Sequence, residues 1–319
     1  MRRVSFASIG ECMIELSAGN GADWRLGYAG DTFNTAWYVR AILPKGNRVA
    51  YVTALGDDPF SDKMLSFFTE AGVETDRIRR AAGRRPGLYA ITLKEAERAF
   101  TYWRSESAAR QLADDVGWLK RAFGDAGMLY FSGITLAILE PAARRRLLAA
   151  IAAQRKAGAT IAFDPNYRPV LWPDKKTARA AIEAAFRLTD IALPTLSDAR
   201  DVFGDRTEDR TARRLIDSGV GEFVLKNGDK PVLVFGDGIH GKVTPTKPPR
   251  LVDTTGAGDS FSGAYLAGRI LKLDPLSAAR LGHAVAAEVV GVHGALAKID
   301  GAKLLKSAMK ASSSAGQPQ

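Results

Sequence analysis

Residues 251–266 read LVDTTGAGDSFSGAYL, and the interpretation of the whole chain starts from them. Gly256, Ala257 and Gly258 have little or no side chain, so the backbone there can approach a ligand and direct successive N–H groups at it. A helix-like run follows, and the positive end of its dipole attracts an anion. Asp259 stands beside this turn, where it can accept a proton from a hydroxyl group. The stretch therefore predicts an anion hole with an adjacent general base, a pairing suited to phosphoryl transfer.

The same residues have a structural alternative, in which the glycines make a turn and Asp259 caps a helix. For an isolated G-x-G pattern this alternative is the more frequent outcome, because such spacings recur by chance. The longer string D-T-T-G-A-G-D-S-F at 253–261 resembles the C-terminal signature of the PfkB (ribokinase-like) family of sugar kinases. The resemblance implies a ribokinase-like three-layer α/β/α fold with a mostly parallel central sheet and a small β-strand lid. It also implies ATP and Mg²⁺ as cofactors, with a monovalent cation such as K⁺ as a further candidate.

Composition and charge limit the classes of function. The chain has 319 residues, of which 46% are hydrophobic, enough for one large core or two smaller ones. Cys12 is the only cysteine, which excludes an intrachain disulfide and a thiolate-rich metal site and fits a cytoplasmic protein. The net charge of +10 comes from scattered basic residues, so we expect anionic small molecules rather than nucleic acid as partners. Apolar stretches are too short to span a bilayer, so no membrane partner is expected.

Strand-like and helix-like segments alternate in the middle of the chain. Residues 127–133 and 160–164 are strand-like, and a helical pattern at 141–157 lies between them. Such alternation with short connections predicts parallel strands covered by helices. We expect a single kinase domain over residues 1–311, followed by a disordered, serine-containing tail at 312–319.

A polar motif begins the first predicted helix. The string G-D-T-F-N, which starts at Gly30, precedes an apolar stripe at helical spacing. Asp31 or Thr32 has an ordinary alternative role as the N-cap of that helix, and Asn34 as a polar first-turn residue. Gly30 and Asn34 match the sugar-binding glycine and asparagine of the PfkB family's N-terminal motif, whose usual double glycine reads Ala29-Gly30 here. The resemblance implies that Gly30, Asp31 and Asn34 bind the substrate.

Residues 86–104 alternate in polarity on both sides of a turn near Lys94, which predicts a β-hairpin. An aromatic hairpin of this kind is most often ordinary packing. In ribokinase-like enzymes, however, strands from this part of the chain and from residues near 11–30 form a lid over the sugar. The resemblance therefore implies lid strands near 11–30 and 86–105. A lid edge is also a candidate contact for a homo-oligomer.

The end of the hairpin indicates a substrate class. The string E-R-x-F-x-Y-W-R, which ends at Arg104, resembles the version found in 2-keto-3-deoxygluconate kinases of this family. There, the tyrosine and arginine that match Tyr102 and Arg104 hold the sugar acid. A planar guanidinium suits this role because it pairs with a carboxylate through two hydrogen bonds. Tyr89 and Tyr102 can donate further hydrogen bonds while their rings exclude water.

A second polar motif follows a predicted strand, at the end where open α/β sheets bind ligands. Asn166 and Arg168 are equally compatible with a surface turn. The string D-P-N-x-R is shared across PfkB sugar kinases, and the resemblance implies that Arg168 faces the substrate and Asn166 the nucleotide. The N-x-x-E element of the family reads Thr195 to Asp198 here. Asp198 is therefore the candidate for an outer-shell magnesium contact, with Ser197 beside the nucleotide.

Three further residues are candidates for nucleotide binding. Lys226 and Gly228 fall where the family grips the phosphates, although a lysine that ends a strand is by default a solvated charge. His283 either touches the base or ribose or is a helix-surface or packing histidine. The string at 236–241 satisfies the dinucleotide pattern G-x-G-x-x-G, but no helix follows it, so that interpretation fails. The expected ATP-binding set is Asn166, Ser197, Lys226, Gly228, Gly256, Gly258 and His283.

The motifs together predict in-line phosphoryl transfer from ATP to a sugar hydroxyl, with Asp259 as the base. The element at Tyr102 to Arg104 favours 2-keto-3-deoxy-D-gluconate, phosphorylated at its 6-hydroxyl to give 2-keto-3-deoxy-6-phosphogluconate. A fructokinase or another neutral-sugar kinase is the alternative within the family. A sugar-binding protein without turnover is an alternative from another class, which the intact Gly256, Gly258 and Asp259 disfavour. A nucleic-acid-binding protein rests on net charge alone.

Overall fold

Alternating strands and helices build the molecule in the computed structural model, which describes residues 3–19, 23–94 and 97–314. The strands of these ranges, in chain order, are β1 (Val4–Ile9), β2 (Met13–Ala18), β3 (Trp24–Ala29), β4 (Arg48–Leu55), β5 (Ile78–Arg80), β6 (Leu88–Lys94), β7 (Glu97–Trp103), β8 (Met128–Ser132), β9 (Thr160–Asp164), β10 (Ile191–Ala192), β11 (Glu222–Leu225), β12 (Val232–Gly236) and β13 (Ile239–Val243). The helices are α1 (Asp31–Ile42), α2 (Pro59–Glu70), α3 (Val116–Phe123), α4 (Gly133–Ile138), α5 (Pro141–Lys156), α6 (Lys175–Phe186), α7 (Leu196–Phe203), α8 (Glu208–Asp217), α9 (Ala257–Ile270), α10 (Pro275–Val289) and α11 (Gly301–Ser314).

The central sheet has nine strands within the described ranges, in the order β13-β12-β11-β10-β9-β8-β1-β4-β5. The strands from β11 to β5 pair in parallel, whereas β12, near one edge, pairs antiparallel with both β11 and β13. Parallel neighbours need a crossover connection, which the intervening helices supply. The prediction of a mostly parallel sheet is confirmed.

Helices cover both faces of this sheet and complete three layers. One buried cluster joins the sheet to α3, α5 and α6 through Leu119, Leu147 and Ile182. The cluster on the other face joins it to α9 and α10 through Tyr265 and Leu281. The ribokinase-like three-layer prediction is therefore confirmed. Among the described residues, no helix combines the length and the apolar character needed to cross a membrane.

A second, four-stranded sheet has the order β3-β2-β6-β7 and comes from the two regions expected to form a lid. The predicted hairpin is confirmed, because β6 and β7 pair antiparallel from Leu88 with Trp103 onward; residues 95 and 96, in its turn, lie outside the described ranges. The strands β2 and β6 pair in parallel, so the sheet is mixed. Its outer face exposes apolar side chains, including Trp24, Leu26 and Trp103. The expected homo-oligomer through the lid stays a prediction.

The structure excludes one structural alternative and corrects one expectation. The N-cap of α1 is Gly30, and the helix already includes Asp31 and Thr32, so neither of these residues is the cap. Residues 312–314, which were expected to begin a disordered tail, belong instead to α11, which ends at Ser314. Extending an existing helix by one turn is cheap once the helix is nucleated and packed. Residues 315–319, where the rest of that tail falls, lie outside the described ranges.

The G-x-G-x-x-G string lies in the hairpin of β12 and β13. Asp237 and Gly238 form its two-residue loop, with φ of 52° and 75°. Positive φ at both central residues suits a tight hairpin turn, whose twist matches that of the strands. The rejection of a dinucleotide-binding turn is confirmed.

Helices α1 and α9 lie close together and bring the N-terminal and C-terminal motifs into contact. Gly263 makes this approach possible, because a Cβ there would lie 2.6 Å from the backbone oxygen of Thr35 and 2.9 Å from Cβ of Tyr38. The nearest obstacle is backbone, which cannot turn aside as a flexible side chain would. The relative position of Asn34 and Asp259 therefore depends on a glycine one turn further along α9.

We expect Gly263→Ala to lower the free energy of unfolding by roughly 3 kcal/mol, the upper end for overpacking a core. Urea unfolding at constant pH measures it. Gly117→Ala is the matched control, since Gly117 is exposed in α3 and its nearest neighbours are side-chain atoms. The control should keep or slightly raise stability, because alanine favours helix. Equal stability of Gly263→Ala and the wild type would contradict the close-packing argument.

Candidate active site

A cavity of about 520 Å³ opens at the carboxyl ends of the parallel strands. Segments that follow β1, β9, β10 and β11 line it, together with the starts of α1 and α9 and one face of the four-stranded sheet. Open α/β sheets bind ligands at this end, because the strand ends and helix N-termini converge there. The cavity is therefore the candidate active site.

Most of the residues selected from the sequence meet in this cavity, although they span more than two hundred positions of the chain. Those that line it are Gly30, Asp31, Asn34, Tyr89, Tyr102, Arg104, Asn166, Arg168, Ser197, Asp198, Lys226, Gly256, Gly258 and Asp259. The remaining three selected residues, Ala257, Gly228 and His283, are not among the described residues that line it.

The start of α9 lines the cavity. Gly256 is the N-cap with φ 77°, and a Cβ there would lie 2.8 Å from the backbone oxygen of Ala295. Both the left-handed φ and the close approach therefore require glycine. No side chain among the described residues caps this helix, so its first turn keeps amide groups available for an anion. Gly258 extends the same amide row into the cavity lining.

Asp259 is the third residue of α9, and the capping alternative for it is wrong because Gly256 is the cap. One carboxylate oxygen, Oδ2, accepts a hydrogen bond of 2.8 Å from Nδ2 of Asn34. Loss of hydration and then the neighbouring charge of Asp31 raise the pKa of Asp259 to about 7. A carboxyl group that titrates near neutral pH is suited to accept a proton from a hydroxyl.

Lys226 directly follows β11, but it is not the solvated charge that its position suggested. Its side chain is only 10% exposed. Its Nζ donates to Oδ2 of Asp164 at 2.7 Å and to Oγ of Ser262 at 3.1 Å. The ammonium also lies 3.9 Å from where a Cβ of Gly258 would be, next to the start of α9. A buried cation is therefore fixed beside the amides of the anion hole.

The N-terminal motif and the D-P-N-x-R motif are joined by hydrogen bonds. Asn34 accepts from the N–H of Gly30 at 3.3 Å through Oδ1 while it donates to Asp259. Oδ2 of Asp31 accepts from Nδ2 of Asn166 at 2.8 Å. Asn166 has φ 33° and its N–H is bound by Oδ1 of Asp164 at 3.1 Å, a turn that asparagine tolerates well. Asn166 therefore orients Asp31, a function that spacing did not predict.

Asp198 lies in a capping box at the start of α7. Its Oδ2 accepts 2.7 Å from Oγ1 of Thr195, and Oδ1 accepts 3.1 Å from the N–H of Tyr167. Burial and then the charge of Asp164 raise the pKa of Asp198. Ser197 is exposed beside it and shares a 2.8 Å contact with Oγ1 of Thr195.

Aromatic and charged side chains complete the lining of the cavity. Tyr102 is 49% exposed, and its ring centroid lies 5.8 Å from that of Tyr89. Tyr89 donates its hydroxyl to Glu15, and burial together with that carboxylate raises the pKa of Tyr89. Arg104 is bound by the buried carboxylate of Glu11. Arg168 is exposed and donates 3.1 Å to the backbone oxygen of Tyr167.

Sequence reasoning missed two charged residues of the site. Asp164 is 4% exposed and holds Lys226, and Glu11 is 2% exposed and holds Arg104. Both come at or just after the carboxyl end of a buried strand, which was the available signal. An acidic residue in that place is either a ligand-facing group or a partner for another charge, and only the fold decides which.

His283 packs inside the protein, which favours the packing alternative. It is 6% exposed, its Nε2 lies 3.2 Å from the backbone oxygen of Val243, and its ring meets that of Phe261 edge-on. Burial lowers the pKa of His283, so its neutral form is favoured. Gly228 adopts a left-handed φ of 61° in the turn after β11. Its part in nucleotide binding stays a prediction.

The described residues do not include three His, Cys, Asp or Glu side chains grouped to hold a metal ion by themselves. A magnesium ion bound with a nucleotide needs fewer protein ligands, because phosphates and waters complete its octahedron. Asp198 fits an outer-shell contact, since a carboxylate offers about four acceptor positions and the two Thr195 groups and Tyr167 use three. The donor set therefore fits a metal that arrives with the nucleotide.

Comparison with known proteins agrees with this geometry. A 2-dehydro-3-deoxygluconokinase from Dickeya dadantii (strain 3937) is 41% identical over 308 residues, covering 94% of this chain and 99% of the relative. Fructokinase-1 from Zea mays is 33% identical over 242 residues, covering 74% of this chain and 72% of the relative. The crystal structure of a fructokinase with bound ATP from Xylella fastidiosa has a TM-score of 0.84 at 22% identity, covering 97% and 99% of the two chains.

The family relationship extends over almost all of the sequence. The model for the pfkB family carbohydrate kinase matches residues 4–300, a range that contains both terminal motifs and the strands between them. Kinases of this kind use ATP, usually with a divalent metal. The chain belongs to the pfkB family of carbohydrate kinases.

Proposed function

We propose that this chain phosphorylates 2-keto-3-deoxy-D-gluconate, also called 2-dehydro-3-deoxygluconate, at its 6-hydroxyl with Mg²⁺ and ATP. The observation that carries the proposal is that Arg104 and Arg168 line the same cavity as Tyr89, Tyr102 and Asp259. A neutral sugar needs hydroxyl-binding groups, whereas a sugar acid also needs a fixed cation for its carboxylate. The similarity to a 2-dehydro-3-deoxygluconokinase over nearly the full length of both proteins supports the same substrate.

Asp259 is the proposed general base. A primary hydroxyl of the sugar gives its proton to Oδ1 of Asp259, while the hydrogen bond from Asn34 keeps Oδ2 in place. The hydroxyl oxygen then attacks the γ-phosphorus, and the bond from that phosphorus to the bridging oxygen breaks, leaving ADP. Because the pKa of Asp259 is about 7, the base is ionised in a large fraction of molecules at neutral pH.

In this proposal, the start of α9 and Lys226 stabilise the transferred phosphoryl group. The amides of Gly258 and Asp259, with that of Gly256, and the ammonium of Lys226 are the donors proposed for the phosphoryl oxygens, since these residues line the cavity. Ala257 does not line it, and its N–H is bound by the backbone oxygen of Thr254 at 3.2 Å. Such preorganised donors act on the charge that develops in the transition state, and each is typically worth about 3–4 kcal/mol. When bound, Mg²⁺ neutralises phosphate charge, and Asp198 would hold one of its waters. The monovalent cation stays a candidate without an assigned site.

A neutral-sugar kinase is the second candidate, and one observation favours it. Glu11 already binds Arg104, so the net charge of that pair is zero before a substrate arrives. Arg168 also lines the cavity, and it donates a hydrogen bond to a neutral backbone oxygen, that of Tyr167, rather than to a carboxylate. The two candidates differ in what Arg104 does, and the substrate preference of a single variant separates them.

Arg104→Ala should lower kcat/KM for 2-keto-3-deoxygluconate by at least about 10²-fold, because a charge-assisted, two-point contact with the carboxylate is lost. The same variant should change kcat/KM for fructose and ribose little. An ADP-release assay with these three substrates measures both effects. The wild type should prefer the sugar acid. An unchanged preference in Arg104→Ala would reject the role of Arg104, and a wild type that prefers fructose would reject the substrate.

Asp259→Asn should reduce turnover by at least about 10²-fold, the contribution of a general base. It should also stabilise the protein, and more at pH 8 than at pH 5. A carboxyl with a raised pKa in the folded state favours folding when protonated, and this contribution is lost as pH rises towards 7. The asparagine cannot ionise, so its advantage should grow by roughly 2 kcal/mol between these two pH values.

Urea unfolding of both proteins at the two pH values measures this difference. Comparing the two proteins at each pH cancels the titration of groups that they share. An advantage that is the same at pH 5 and pH 8 would contradict the raised pKa. Full ATP-dependent turnover of Asp259→Asn would separately reject Asp259 as the base.

A further inference from the structure

Glu11 and Arg104 form an ion pair at the sugar end of the cavity. Their side chains are 1% and 12% exposed, and the contact joins Oε2 of Glu11 to Nη2 of Arg104. Glu11 follows β1 of the central sheet, whereas Arg104 follows β7 of the four-stranded sheet. The pair therefore fixes the charged end of the lid region to the body of the protein.

Two buried polar atoms of this pair make no hydrogen bond within the described ranges. Within the described part of the chain, neither Oε1 of Glu11 nor Nε of Arg104 has a hydrogen-bond partner, and both atoms are buried. Buried polar groups of this kind cost free energy unless something binds them. An arrangement that keeps such a cost beside a ligand cavity indicates a functional constraint rather than a stabilising contact.

The surrounding backbone makes room for this pair. A Cβ on Gly87 would lie 2.7 Å from Oε1 of Glu11 and 3.2 Å from Cβ of Arg104. The N–H of Ile14 is bound by the backbone oxygen of Gly87 at 2.8 Å, so the segment cannot easily move away. Even one methyl group at residue 87 would therefore displace the carboxylate or the arginine.

We propose that Glu11 is a positioning residue, which sets the preference for a sugar acid by holding Arg104 in its binding orientation. The inference rests on the proposed function. An arginine side chain has many rotamers, and fixing it in advance removes an entropy cost that substrate binding would otherwise bear. Glu11 binds one terminal nitrogen of the guanidinium, Nη2, which leaves the other terminal nitrogen to donate to a substrate carboxylate.

Because Glu11 is charged, its effect on substrate binding should depend on whether Arg104 is present. While Arg104 is present, the Glu11 carboxylate is neutralised and only orients its partner. Without Arg104, the same carboxylate stands unpaired near the sugar acid and repels it. Removing the charge of Glu11 should therefore weaken substrate binding in the wild-type background and should not weaken it in the Arg104→Ala background.

The experiment measures KM and kcat for 2-keto-3-deoxygluconate in Glu11→Gln, Arg104→Ala and the double variant. Glu11→Gln should raise KM roughly tenfold, the effect of losing one charge-assisted contact, with kcat changed less than about twofold. In the Arg104→Ala background, adding Glu11→Gln should leave KM unchanged or lower it. Glu106→Gln is the matched control, because Glu106 pairs with Arg84 outside the cavity and is 80% exposed. It should change neither constant.

Three outcomes would overturn the role of Glu11: an unchanged KM in Glu11→Gln, a lowered KM, which charge alone would produce, or losses that simply add in the double variant. A wild type without activity on the sugar acid would instead overturn the proposed function. Should Glu11→Gln not fold, Gly87→Ala tests the same pair while both charges remain. It should raise KM for the sugar acid more than for fructose, and an equal effect on both substrates would reject the inference.

Discussion

The crowding of like charges around one cavity is the constraint on which this site depends. Asp31, Asp164 and Asp259 lie close enough to affect one another, and Lys226 is the cation buried among them. Loss of hydration, followed by repulsion from Asp31, raises the pKa of Asp259 to about 7. A carboxylate with an ordinary pKa would be too weak a base for a sugar hydroxyl. The same environment that disfavours ionisation of Asp259 therefore makes it a stronger base.

The fold tolerates that cost because rigid elements hold each charge. Asp259 and Asn34 sit on the packed helices α9 and α1, and Asp164 and Lys226 end neighbouring regions of the central sheet. Sites built on helices and strands keep their geometry better than sites built on free loops. The residues proposed to select the sugar acid have a different support. Tyr89, Tyr102 and Arg104 lie on or directly after strands of the four-stranded sheet, and the contact of Arg104 with Glu11 ties this sheet to the segment that follows β1. The two halves of the site therefore have separate supports, one for phosphoryl transfer and one for substrate choice.

The resemblance to the PfkB family supplied most of the residues that meet in the cavity, whereas local patterns of the sequence predicted the parallel sheet, the hairpin and the glycine-rich turn beside Asp259. They did so because strand and helix periods and glycine-rich turns are encoded by neighbouring residues. Long-range partners were not predictable in this way. Lys226 looked like a solvated strand end, yet its charge is buried because Asp164 and Ser262, distant in sequence, surround it. For the same reason the sequence did not identify Glu11 as the partner of Arg104, and it did not predict the contact of Asn166 with Asp31.

The pH dependence of kcat/KM for phosphorylation of 2-keto-3-deoxygluconate tests the central claim most directly. Because only the ionised form of Asp259 accepts the proton, the account predicts that kcat/KM falls about tenfold per pH unit below pH 7 and levels off above it. The substrate carboxylate and the metal-bound nucleotide should be checked separately for titration in this range. A profile that stays flat from pH 8 down to pH 5 would contradict the claim that buried, crowded carboxylates make Asp259 the base.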